Sequence, residues 1–103
     1  MNLRHTFLFA GISLCLISSA WADLSLATAK NCMSCHTVDK KVVGPALKDV
    51  SVKYAANKDA TAYLSHKIIK GGGGVWGPVP MPANAQVNEG EARKLAHWIL
   101  GLK

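Results

Sequence analysis

The sequence predicts a small all-α domain of about four short helices and long loops. Apolar residues recur at helical spacing beside capping residues. No stretch alternates apolar and polar residues as a half-buried strand would. A run of about seventeen residues rich in Gly and Pro, Gly71 to Val87, separates the last two helical stretches and is too apolar and too stiff to read as disorder.

The first helix is expected from Leu24 to Asn31, with Asp23 as its N-cap, leading straight into a cysteine motif. The second begins near Pro45, a favourable first-turn residue, and carries Leu47, Val50 and Tyr54 at helical spacing. The third runs from Ala60 to Lys70. Asp59 can cap its start, Gly71 can end it, and Leu64 and Ile68 share a face. The fourth starts at Asn88 with Glu91 three residues on, a capping-box pattern, and Leu95, Trp98, Ile99 and Leu102 mark its apolar stripe.

The 103 residues make one domain, and not all of them are expected in it. Residues 1–22 read as a cleaved secretory signal peptide, leaving 23–103 as the domain. Arg4 and the amino terminus give a positive start, Phe7 to Ile17 an apolar run, and Ala20-Trp21-Ala22 a small-x-small cleavage site. The apolar run is shorter than the roughly 20 residues a membrane span needs. After cleavage no stable membrane insertion is expected. Cys15 lies inside the run and follows Leu14, whereas a lipid-modified cysteine calls for a small residue before it; it is read as one more apolar residue. The net charge is +6 for the whole chain, and the signal removes only Arg4 from it. A domain this small often needs a disulfide, metal or cofactor for stability.

Cys32-Met33-Ser34-Cys35-His36 is C-x-x-C-H, the attachment signature of haem c. Two thiols three residues apart on a helical turn can each add to one vinyl group of a haem, and the next residue then lies under the iron, where the imidazole of His36 can ligate it. A thioredoxin-like thiol pair would sit in a βαβ context that is missing here. A closed zinc site needs four ligands, and only His36, His66 and His97 could join the two cysteines.

For the second axial position the candidates are Met33, Met81, His66 and His97. Met33 sits within the attachment turn, and both histidines lie on helices. Met81, in the Pro-rich loop between Pro80 and Pro82, is favoured.

These residues resemble the small bacterial class I cytochromes c of the cytochrome c-551/c-552 type, over essentially the whole processed chain. The resemblance rests on Cys32-Met33-Ser34-Cys35-His36, Val43-Gly44-Pro45, Gly74-Val75-Trp76-Gly77-Pro78-Val79-Pro80-Met81-Pro82, and the closing helix with Leu95 and Trp98. It implies a class I cytochrome c fold, its helices and loops wrapped around one covalent haem, with His36 as proximal and Met81 as distal ligand. It implies that the Pro45 carbonyl accepts a hydrogen bond from the far ring nitrogen of His36, that Trp76 and Lys67 contact a haem propionate, and that Asn84 hydrogen-bonds near the methionine sulfur. Three features depart from the pattern. Leu26 and Ala27 stand where the first helix often carries an aromatic. Lys67 stands where Arg is frequent, so a bidentate contact is lost. Four consecutive glycines, Gly71 to Gly74, point to a mobile loop.

The resemblance implies a periplasmic, monomeric electron carrier and no enzyme. His/Met ligation leaves no open site for substrate and raises the reduction potential over His/His. Its partners would be a membrane quinol-oxidising complex upstream and nitrite reductase, a terminal oxidase or cytochrome c peroxidase downstream. Lys30, Lys40, Lys41 and Lys70 are candidates for a basic ring that steers acidic partners. The lysines are scattered, which argues against nucleic acid.

Overall fold

A computed structural model describes residues 10–12 and 19–102. Arg4, Cys15 and most of the apolar run of the expected signal lie outside the described residues. Four helices follow in order: α1 Ser19–Ala29, α2 Leu47–Tyr54, α3 Ala60–Lys70 and α4 Glu89–Leu100, with a 3-10 turn at Cys32–Ser34 between α1 and α2. Among the described residues the only extended pairing is an isolated antiparallel bridge between Gly72 and Met81. The domain is all-α, as the residue spacing predicts.

α1 begins earlier than expected. Its backbone includes the Ala20-Trp21-Ala22 stretch, so Asp23 lies inside the helix instead of capping it. The carboxylate of Asp23 is buried and its Oδ1 has no hydrogen-bond partner among the described residues. The helix ends where Asn31 takes a left-handed conformation, φ 66°, a geometry that Asn tolerates better than most residues. That reversal aims the chain into the Cys32–Ser34 turn, closed by the His36 N–H donating to the Cys32 carbonyl at 3.1 Å.

α2 starts at Leu47, two residues after Pro45, because Ala46 is extended at φ −57°, ψ 136°. The unpaired N–H groups of a helix start need partners. Here Leu47 N–H donates to the Thr37 carbonyl at 2.9 Å and Lys48 N–H to that of Val38 at 3.0 Å. The strand of chain after His36 thus sets where α2 begins. α3 occupies its expected range, but Asp59 makes no side-chain cap. α4 opens on a complete capping box: Asn88 Oδ1 accepts from Glu91 N–H at 2.8 Å, and Glu91 Oε1 from Asn88 N–H at 3.1 Å. Leu102 lies past the end of the helix.

α1, α2 and α3 all pack on α4, which buries Ala92, Leu95, Ala96, Trp98 and Ile99. Ala27 of α1 and Ala92 and Ala96 of α4 are almost wholly enclosed, with Leu95 in the same cluster. Small side chains let the helices approach closely, so the first helix needs no aromatic. Leu47 and Val50 of α2 and Leu64 and Ile68 of α3 complete this core. It forms the floor on which the cysteine turn and the Gly/Pro loop are mounted.

Candidate functional site

A cleft open to solvent lies between the segment after the cysteine turn, the inner faces of α2 and α3, and the Gly/Pro loop. Most of its wall is apolar, with Pro45, Leu64, Ile68 and Trp76 among the lining residues. A few polar groups converge on an apolar wall, as in cofactor sites generally.

His36 forms one side. Its Nδ1 lies 2.8 Å from the Pro45 carbonyl oxygen. A carbonyl can only accept, so Nδ1 carries the proton and donates, and the lone pair is left on Nε2. Gly44 lies flat against this ring. A Cβ there would sit 2.6 Å from His36 Cε1 and 2.9 Å from Nδ1, so no other residue fits without moving the imidazole. The Gly44 N–H donates to the Cys35 carbonyl at 2.8 Å, closing the loop that carries Pro45 back over the histidine.

Cys35 lines the cleft and Cys32 packs against the core beneath it; both thiols are unpaired. Burial pushes the Cys32 thiol up. A disulfide-exchanging pair needs the opposite shift, toward thiolate. Among the described residues no group of three or more His, Cys, Asp or Glu is placed to hold a metal, so the histidines do not complete a zinc site with the cysteines.

Met81 lines the other side of the cleft. Its backbone is held by the bridge to Gly72: Gly72 N–H donates to the Met81 carbonyl at 3.0 Å and Met81 N–H to the Gly72 carbonyl at 2.7 Å. Gly71, at φ 71°, makes the turn from α3 into this bridge, and a Cβ on it would collide with the Met81 carbonyl oxygen. The first half of the glycine run is therefore pinned by hydrogen bonds. Of the four candidates for the second axial position, only Met81 shares the cleft with His36. Met33 packs against the core, while His66 and His97 are exposed on α3 and α4.

Trp76 and Lys67 both line the cleft. Lys67 Nζ stands 5.5 Å from the centre of the Tyr63 ring, and Lys53 Nζ 5.7 Å from that of Trp76, cation–π distances that place positive charge at the rim. Tyr54 and Tyr63, with ring centres 5.1 Å apart, complete this end. Burial, and then the neighbouring Tyr63, push the Tyr54 hydroxyl up to about 12, so it stays protonated.

Asn84 is placed differently from the expectation. Its side chain does not line the cleft; Nδ2 donates to the Ile68 carbonyl at 2.8 Å and more weakly to that of Pro82 at 3.4 Å. Its own N–H donates to the Ile69 carbonyl at 3.2 Å. The cause lies at the end of α3, whose last carbonyls have no helical donor. Gly71 satisfies Lys67, and Asn84 takes the next two.

The residues present suit a haem c: two thiols on one turn, an imidazole with its lone pair free, a thioether across an apolar cleft, and cations at the rim. Sequence reasoning did not find the Gly44 contact, although the Val43-Gly44-Pro45 run marks the place. Nor did it find the pairing of Tyr54 with Tyr63, which sit on different helices with no linear signal.

A family model described as Cytochrome c matches residues 25–103. The chain is 52% identical over 95 residues to a cytochrome c-552 of Nitrosomonas europaea, covering 92% of each chain. It is 48% identical over 90 residues to a cytochrome c-551 of Pseudomonas aeruginosa, covering 85% of this chain and 86% of the other. The crystal structure of the wild-type Nitrosomonas europaea cytochrome c552 superposes with a TM-score of 0.77 at 54% identity, over 78% of this chain and 99% of that one.

Proposed function

The chain belongs to the cytochrome c family, and from that premise we propose that His36 and Met81 are the axial ligands of one haem c, bonded to Cys32 and Cys35, in a periplasmic one-electron carrier. It is a haem-bearing electron carrier and not an enzyme, in keeping with its relatives. The observation that carries the finer reading is the His36 ring, oriented by Pro45 with its Nε2 free in a cleft that Met81 also lines. The chemistry the haem supplies is reversible passage of iron between ferrous and ferric states. Everything else falls to the chain. Cys32 and Cys35 hold the group in register. Pro45 and Gly44 fix the ring plane of His36. The Gly72 bridge holds Met81, and the apolar wall excludes water, which disfavours the extra positive charge of the ferric state. A thioether ligand acts in the same direction.

The solved relative is covered over 99% of its length by 78% of this chain, so about a fifth of this chain has no counterpart there. That is in keeping with removal of residues 1–22; the reading further takes residues 23–103 to work as a monomer in the periplasm. Among the described residues no helix is long and apolar enough to cross a membrane. Electrons would come from a membrane quinol-oxidising complex and pass to a nitrite reductase, terminal oxidase or peroxidase. Lys67 and Trp76 are assigned to a propionate. Asn84 acts on Met81 through the backbone it anchors. Lys30 drops out of the proposed basic ring, because it is ion-paired with Glu91 at 3.1 Å.

The test is the mass and the spectrum of the protein purified from the periplasm. The expected mass is that of residues 23–103 plus one haem, and the expected ferric spectrum has a weak sulfur-to-iron band that Met81→Ala abolishes. A bare polypeptide mass, or a band unchanged by that substitution, refutes the assignment.

A further inference from the structure

The residue just after the Met81 loop that links it to the cysteine turn is Gln86. Its side-chain Nε2 donates to the Lys30 carbonyl at 3.0 Å, while Lys30 Nζ donates back to the Gln86 carbonyl at 3.0 Å. Lys30 lies two residues before Cys32. The same Nε2 donates to Asn84 Oδ1 at 3.1 Å.

The orientations of both amides follow from this geometry. The Lys30 carbonyl can only accept, so the Gln86 atom facing it must be the nitrogen. That nitrogen offers its second proton to Asn84, so the Asn84 atom facing it must be the oxygen. The Asn84 nitrogen is then turned toward the Ile68 and Pro82 carbonyls, where it is found. Donation thus spreads outward from Gln86, on one side to the Lys30 carbonyl before Cys32 and on the other through Asn84 to the end of α3 and to Pro82, the neighbour of Met81.

We propose that Gln86 is a positioning residue for the distal ligand, clamping the Met81 loop to the cysteine turn so that the two sides of the cleft keep a fixed separation. This inference rests on Met81 being an axial ligand. Without the Gln86 side-chain donor, Asn84 Oδ1 loses its partner and the Lys30 carbonyl its donor, so the segment after Pro82 is tied to the residues before Cys32 only by Lys30 Nζ at the Gln86 carbonyl. Met81 then leaves the iron more often, while the hydrogen bonds that hold His36 to Pro45 and close the Cys32–Ser34 turn are kept.

The experiment measures the rate at which imidazole binds to the ferric holoprotein, a reaction limited by departure of the methionine. Gln86→Ala should raise that rate about three- to tenfold, the factor corresponding to one ordinary hydrogen bond. Gln86→Glu keeps the side-chain volume but removes the donor, and should raise it as well. Ser51→Ala, which removes a hydrogen bond from Ser51 Oγ to the Leu100 carbonyl away from the loop, lowers global stability and should leave the rate unchanged. A sulfur-to-iron band present in the unsubstituted protein, with rates unaltered in both Gln86 variants or raised equally in Ser51→Ala, overturns the role of Gln86 alone. Absence of that band in the unsubstituted protein overturns the Met81 assignment and this inference with it.

Discussion

Replacing Gly44 by Ala tests the histidine side of the cleft most directly. The added Cβ would lie 2.6 Å from His36 Cε1 and 2.9 Å from Nδ1, where ordinary contact begins at 3.4 Å. Relief requires a shift of nearly an ångström. The ring cannot swing away freely, since it is the short side chain of a residue already tied to Pro45 at 2.8 Å. Gly44 itself is held by its N–H to the Cys35 carbonyl at 2.8 Å. Overpacking of this kind costs about 1–3 kcal/mol, and loss of the His36–Pro45 hydrogen bond would add about 1 kcal/mol. For a domain of this size each kcal/mol lowers Tm by about 4–8 °C. The expected drop for Gly44→Ala is therefore at least about 8 °C by far-ultraviolet circular dichroism, with a displaced reduction potential, since the imidazole is no longer held in its ring plane. A Tm within about 2 °C of the parent and an unshifted potential would refute the packing argument.

Three further outcomes are expected. Gly71→Ala places a side chain at φ 71° and against the Met81 carbonyl; it should cost at least about 1–2 kcal/mol in denaturant unfolding and weaken the sulfur-to-iron band. Asn88→Ala opens the capping box of α4 and should cost about 1 kcal/mol, read as a Tm lower by several degrees with an unchanged visible spectrum. The carboxyl of Glu91 is held below its ordinary 4.5 by the Asn88 N–H first and by the Lys30 side chain second. The folded state thus binds its proton less readily than the unfolded chain. Its contribution is complete above pH 4.5 and is lost as pH falls through the lower folded value. In Tm profiles against pH, Glu91→Gln should flatten the acid limb below pH 4.5 and barely alter its slope above that point.

The helices were legible wherever a local signal decided them. α3 and the capping box of α4 lie where Leu64, Ile68, Asn88 and Glu91 mark them, because apolar spacing and caps act within a few residues. The start of α2 was misjudged by two residues because its unpaired N–H groups are satisfied by Thr37 and Val38, a tertiary event that Pro45 does not reveal. The start of α1 was set too late because Asp23 carries a capping residue's chemistry without a capping residue's backbone. That Cys35, His36 and Met81 share one cleft was legible from one contiguous motif and one loop. The environment of Asn84 was not: its partners are carbonyls at the end of a helix sixteen residues back in the chain, and a carbonyl leaves no trace in the identity of its residue.

The two hydrogen bonds joining Gly72 and Met81 make the segment from Gly73 to Pro80 a closed appendage with its ends fastened together. Chain added within such an appendage is felt by the rest of the molecule mainly as closure entropy, and doubling its length costs only about 0.6 kcal/mol. Segments of other lengths that keep the cleft-lining Trp76, Val79 and Pro80 should therefore be transplantable between Gly72 and Met81 while the fastening holds the methionine in register. The outer rim could then be rebuilt for a new redox partner without relocating Met81.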